Sequence, residues 1–258
     1  MKSRIAFMTM VGAFLALNAL YGAEGEEVWL TRETPHFLVH YSAGSPAERE
    51  IETLVGIVEG HFERETKIYG ASEMLTRKVP YFFHSKPVMS RGRPVWGFTS
   101  QGEKGEIHVA YAGEMTDTSP HEFRHYVHRA VNPEAPAFFD EGSANIGVWV
   151  MGYHAHQILK AKYPGGLPDD LHNTITKMGN PYTDAEAAMA YSFCNFLAEN
   201  YGEEGFGKMY ATITKANYRE SLKAYTGKNV DALNEEWIMV LVRTEVPESA
   251  EKLYRKQD

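Results

Sequence analysis

Two short runs carry residues whose types and spacing can do chemistry. The first, Ser119-Pro120-His121-Glu122-Phe123-Arg124-His125-Tyr126-Val127-His128, contains H-E-x-x-H. The second, Phe138-Phe139-Asp140-Glu141-Gly142-Ser143-Ala144, offers carboxylates a short loop later. On a helix, residues four apart share a face, so His121 and His125 can present two imidazole nitrogens to one Zn²⁺ with Glu122 beside the metal-bound water. The chemistry this suits is amide hydrolysis. The metal lowers the pKa of water and polarises the carbonyl, and Glu122 takes the water's proton as general base and passes it to the leaving amine.

Each of these residues also has a plainer use. Ser119 and Glu122 form a capping-box pattern with Pro120 at the first helical position, which would commit the carboxylate to a backbone N–H. Phe123, Tyr126, Val127, Ala130 and Val131 make an apolar stripe at helical spacing, with His121, His125 and His128 on the other side. Unless something covers that side, the histidines are a solvated face. The segment after Pro133 and Pro136 can supply the cover. His125 lies about 9 Å back from Val131 at ~1.5 Å per helical residue, and the roughly ten residues to Glu141 at ~3.3 Å each can return that far. With Glu141 as third ligand, the fourth tetrahedral position stays open for water, as in catalytic zinc sites. His128, Glu134 and Asp140 compete for that third place.

The surrounding elements change character along the chain. His36–Tyr41 alternates as a strand and Ala47–Tyr69 has the spacing of an amphipathic helix closed near Gly70. Lys78–His84 and Ile107–Tyr111 read as further strands, and Gly97–Glu106 as a glycine-rich loop. Helical periods dominate after Thr116: one helix from Phe139 to Tyr163, then Asp184–Tyr201, Gly205–Ala216, Tyr218–Tyr225 and Val230–Glu245. Strands early and helices late predict an α+β fold. Its N-terminal mixed β-sheet with a packed helix spans residues 24–118, and the zinc-site helices and helical C-terminal part span residues 119–258.

Composition narrows the function classes. The 258 residues are 43% apolar, enough for a packed core. Lys2 and Arg4 followed by the apolar run Ile5–Leu20 and Gly22-Ala23 read as a secretory signal peptide over residues 1–23. Tyr21 at the −3 position leaves the cleavage site open, and an uncleaved membrane anchor over residues 5–23 is the rival. Without residues 1–23 the chain has 24 Lys and Arg against 34 Asp and Glu, which argues against nucleic acid as a partner. The expected location is exported, periplasmic or secreted. The single cysteine, Cys194, excludes an intramolecular disulfide and sits in an apolar helical pattern, as a buried inert thiol does.

H-E-F-R-H followed by Pro136-x-Phe138-Phe139-Asp140-Glu141-Gly142-Ser143-Ala144 resembles the gluzincin branch of zinc metallopeptidases. Within it the match is to the bacterial peptidase MA-like group, whose pattern is HExxH then P-x-W-x-x-E-G-x-A. Phe138 stands where that group usually has Trp. Thr34–Tyr41, Ala190–Tyr201 with Gly202, and Asn234-Glu235-Glu236-Trp237 are similar to its opening strand, a later helix and its closing helix. The resemblance implies a gluzincin-like fold, one Zn²⁺ per chain on His121, His125 and Glu141, and Glu122 as base. It also implies Tyr191 as the donor steadying the tetrahedral oxyanion, with Tyr153, His154 and His156 as alternatives. Its edge strand, which pairs with an extended peptide or protein substrate, falls on Ile107–Tyr111. Two features depart from the pattern. Asn145 stands where many gluzincins place an Asp to orient a histidine ligand, and the helix begins closer to His121. His154 and His156 read as helix-surface residues, since an i, i+2 pair does not converge on one metal. Two other functions fit the same residues: an exported binding or scaffold protein keeping the fold, and a zinc hydrolase of non-peptide amides.

Overall fold

The computed structural model describes residues 28–90, 92–100, 105–113, 119–179 and 182–255. The leader reading at residues 1–23 lies outside them. Seven strands occur among the described residues: β1 Trp29–Glu33, β2 Phe37–Ser42, β3 Val79–His84, β4 Val88–Ser90, β5 Arg93–Val95, β6 Gly97–Thr99 and β7 Ile107–Ala110. Five of them form one sheet in the order β1-β2-β3-β7-β6, parallel in its centre and antiparallel at both edges. The chain is therefore α+β, as its strand-then-helix pattern predicts.

Alternation decides the two faces of this sheet. Phe37 and Val39, Tyr81 and Phe83, and Ile107 point inward and are buried, whereas the intervening residues point outward. On the outer face His40, Phe82, His108 and Phe98 stand in register across four strands and stack ring on ring at 4.4–4.6 Å. Against the inner face lies the long helix α2 (Ile51–Tyr69), preceded by the single turn α1 (Pro46–Arg49). Its buried Leu54, Val55, Val58 and Phe62 follow three- and four-residue spacing, and Gly70 closes it in the left-handed region at φ 66°. Phe62 and Phe37 both meet Phe123, at 5.9 and 5.6 Å, so the next helix is docked on the same core.

That helix is α3 (His121–Val131), followed by α4 (Ala137–Ala144), α5 (Ala155–Lys162), α6 (Leu171–Lys177) and α7 (Asp184–Tyr201). The C-terminal helices are α8 (Glu203–Tyr210), α9 (Tyr218–Thr226), α10 (Val230–Arg243) and α11 (Glu248–Tyr254). Helix α7 is buried along most of its length and forms the axis of the helical half. Gly142 on α4 makes that packing close. A Cβ there would stand 2.6 Å from the Ala190 carbonyl oxygen and would strike Cys194 Sγ. No helix among the described residues is long and apolar enough to cross a membrane.

Three sequence expectations are corrected. Ile107–Tyr111 is not an edge strand, because β7 is hydrogen-bonded to β3 on one side and β6 on the other. The segment from Gly97 is a strand rather than a loop in its first three residues, and it is the edge of the sheet on this side. The single helix expected from Phe139 to Tyr163 is two helices separated by residues 145–154. The apolar period across Val148-Trp149-Val150-Met151 imitates a helix, yet Trp149 and Met151 are 54% and 72% exposed. Arg124 explains the break: its Nη1 donates to the carbonyls of Ser143, Ala144 and Ile146, at 3.4, 3.1 and 2.5 Å. A continuing helix would have used those same acceptors.

Candidate metal centre

Helix α3 starts at His121 without the capping box. Pro120 is the N-cap and makes no side-chain cap bond, and Ser119 Oγ accepts from His121 N at 3.2 Å. Glu122 is instead engaged by the edge strand. Thr99 Oγ1 is 2.6 Å from the Glu122 carbonyl oxygen and 3.1 Å from its Oε2. A Cβ at Gly97 would stand 2.8 Å from Glu122 Cγ, so strand β6 lies directly on this side chain. Arg129 Nη1 donates to the carbonyls of Thr99 and Ser100 at 2.9 and 3.1 Å, which ties the strand to the helix that carries Glu122.

The face that the sequence leaves needing cover is covered by α4. His121 Nε2 and His125 Nε2 are 3.2 Å apart, and His125 Nε2 is 3.7 Å from Glu141 Oε2. Glu122 Oε1 lies 4.0 Å from His121 Nε2. His121, His125 and Glu141 thus converge as expected. The two helices are held in this relation by a buried ion pair absent from the sequence reading. Arg124, one residue before His125, places Nη2 2.9 Å from Glu65 Oε1 and Nε 2.9 Å from Oε2, with both side chains buried. While Glu65 on α2 neutralises the guanidinium, Nη1 grips the C-terminal carbonyls of α4, the favourable end of that helix for a cation. Nothing in the local pattern of Glu65 marks this role, because its partner is 59 residues away.

Behind His121 and His125 sit hydrogen-bond partners that fix the rings. Asp140 Oδ1 accepts from His125 Nδ1 at 3.1 Å and His128 Nδ1 at 2.9 Å, and Tyr210 OH is 3.3 Å away. Asp140 is therefore a brace for His125 rather than a rival of Glu141. With Nδ1–H donated to Asp140, Nε2 is the His125 atom turned toward the cluster. His128 is fully buried and turned toward Asp140 and Ser143, and Glu134 is exposed. Asn145 Nδ2 stands 3.0 Å from His121 Nδ1. Turning that amide by half a rotation would bring its oxygen there to accept Nδ1–H, the tautomer that a metal at Nε2 needs.

Charge in the cluster follows from burial and these neighbours. Burial and the nearby His125 depress His121 to about 3. Burial also opposes charge on His125, but Asp140 and Glu141 outweigh it and lift that ring to about 10. Burial raises the Glu122 carboxyl, partly offset by His125. For Glu141 burial acts upward, but His125 and His121 outweigh it and hold the carboxyl low. Tyr191 belongs to the same neighbourhood: burial and the Glu141 charge push its hydroxyl up, and Tyr182 and Asn145 partly offset this. Tyr182, whose hydroxyl is pushed up by burial and by the neighbouring Glu141 and Tyr191, is a site residue that sequence reasoning missed. In the sequence it follows Asn180-Pro181, where no periodicity points inward.

A dication fits the donor set. Glu141 Oε2 is buried and has no hydrogen-bond partner, although it lies 3.7 Å from His125 Nε2. Tetrahedral coordination at 2.0–2.1 Å places ligand atoms about 3.3 Å apart, and the observed 3.2 and 3.7 Å bracket that spacing. His154 and His156, expected on a helix surface, converge with Glu199 in a second cluster. No protein-family model matches the chain, and a search of curated proteins finds no match.

Proposed function

We propose that the protein is an exported zinc metallopeptidase of the gluzincin type. His121, His125 and Glu141 would be its ligands and Glu122 its general base. The observation that carries this reading is the orphaned Glu141 Oε2 at 3.7 Å from His125 Nε2, with His121 Nε2 3.2 Å from that same nitrogen and Glu122 4.0 Å from His121 Nε2. A structural zinc site would close its shell with a fourth protein ligand, and three donors plus an adjacent carboxylate leave a working position.

Bound by these three residues, zinc supplies a Lewis acid that activates water and polarises a carbonyl. The chain's own groups do the rest. Glu122, whose carboxyl is raised by burial, accepts the water proton and returns it to the leaving nitrogen. Thr99 Oγ1 at 3.1 Å holds its Oε2 in one orientation. Tyr191, kept protonated by burial, donates to the developing oxyanion, with Tyr182 beside it. An extended peptide would add to the sheet beside β6, the edge next to Glu122, and not beside Ile107–Tyr111.

Wild type and Glu122→Gln, each with zinc content measured, are to be assayed against a proteome-derived peptide library. Zinc retained and hydrolysis lost in the variant is the expected outcome. Equal hydrolysis by both would sink the proposal.

A further inference from the structure

We infer that His154, His156 and Glu199 form a second site for a divalent transition metal of the zinc class, separate from the His121–His125–Glu141 centre. The i, i+2 spacing argues against convergence only if both histidines are helical, and they are not. His154 is the N-cap of α5 with extended backbone (φ −72°, ψ 152°), whereas His156 is inside the first turn. The change of conformation between them turns both rings to the same side, with centroids 4.6 Å apart. Glu199, two turns beyond Tyr191 on α7, meets them: Oε1 is 2.9 Å from His154 Nε2 and Oε2 is 3.5 Å from His156 Nε2. One donor atom from each of the three residues lies within 4.8 Å of the others, where tetrahedral zinc ligands stand about 3.3 Å apart.

The second observation is an orphaned atom. His156 is 5% exposed, and its Nε2 has no hydrogen-bond partner although it is aimed at Glu199. Its other nitrogen is held from behind: Nδ1 is 2.8 Å from Ser192 Oγ, which also accepts from Trp237 Nε1 at 2.9 Å. A hydroxyl serves either ring tautomer, so Ser192 can take Nδ1–H and leave the Nε2 lone pair free. His154 must give up something. Its Nδ1 accepts from His156 N at 3.4 Å, a long cap bond that opens when the ring hydrogen moves from Nε2 to Nδ1. The other half of that cap, Gln157 Oε1 accepting from His154 N at 3.0 Å, is unaffected. Trp149 stands 5.6 Å from the His154 ring and walls the cluster, while Glu199 is half exposed and leaves an entry path.

Such an ion would clamp one end of residues 145–154 to α7. The other end of that segment begins at Asn145, which touches His121. Full-length protein is to be stripped with EDTA, desalted and reloaded with ZnCl₂, and zinc per chain measured for wild type, Glu199→Gln and His121→Ala/His125→Ala. Glu199→Gln should hold one zinc fewer than wild type while keeping its circular dichroism. His154→Ala, with its ring at the solvent edge, should lose the same equivalent. His121→Ala/His125→Ala should still take one equivalent of zinc and, loaded with CoCl₂, show visible d–d absorption that Glu199→Gln removes. The inference is overturned by an unchanged zinc count in both Glu199→Gln and His154→Ala, or by His121→Ala/His125→Ala holding none.

Discussion

Replacing Arg124 by Met tests whether the buried pair with Glu65 holds the two ligand-bearing helices together. The substitution keeps an unbranched apolar stem but leaves the Glu65 carboxylate, 1% exposed, with only the half-exposed Arg64 at 2.6 Å as a cation, and removes the donor to three carbonyls at the end of α4. Breaking a buried pair by deleting one partner costs about 3–5 kcal/mol, and the lost carbonyl bonds add about 1 kcal/mol or more. The expected loss of about 5 kcal/mol is a large share of a domain stability of ~5–15 kcal/mol. In urea, with a slope of about 3 kcal/mol per molar, the midpoint should fall by roughly 1.7 M. Arg124→Met/Glu65→Leu removes the buried carboxylate as well, so it should be more stable than Arg124→Met by about 1–2 kcal/mol, less than for a wholly unpaired charge because Arg64 also pairs with Glu65, while staying below wild type. A midpoint shift under about 0.3 M in Arg124→Met, or a double variant less stable than that single one, would refute the argument.

Further outcomes are expected from other parts of the structure. Gly142→Ala forces a methyl group into Ala190 and Cys194, so stability should drop by about 1–3 kcal/mol or more in the same urea titration. Asn145→Asp should give His121 a charged partner and strengthen zinc retention by about 10-fold or more in chelator competition. Wild-type protein purified gently should carry zinc, and less than about 0.2 per chain would favour a metal-free scaffold. Burial pushes the Glu65 carboxyl up, but Arg124 outweighs it and holds the folded pKa low. Stabilisation by the pair is then complete above the unfolded value of about 4.3 and drains away as pH falls through the folded one. The advantage of wild type over Glu65→Leu should therefore shrink as pH is lowered from about 5 toward 3, and a constant advantage would contradict the pairing.

The chemistry-bearing motif was the most legible part of this chain because H-E-x-x-H is local. Spacing alone puts His121 and His125 together, and the reach of the Pro133–Pro136 connection allows Glu141 to join them. The long helices α2 and α7 were legible for the same reason, with Gly70 and Gly202 at their C-terminal ends. What escaped is what tertiary partners decide. Glu65, Thr99 and Tyr182 act on the site from distant elements, and none carries a local signal. Asp140 was visible as a carboxylate, but whether it binds or braces depends on which ring nitrogen it faces. The helix expected through residues 145–154 failed because Arg124 takes its carbonyls. The convergence of His154 and His156 was missed because it requires a helix boundary between them.

Cys194 gives the molecule a built-in reporter. It is the only thiol in the sequence, fully buried against the glycine on which α4 meets α7, and burial raises its pKa well above the usual thiol range. A thiol reagent can reach it only when those helices part, so labelling kinetics would time the opening of the element that carries Glu141. Metal held by Glu141 would slow that reaction, which makes site occupancy readable in a protein with no chromophore attached.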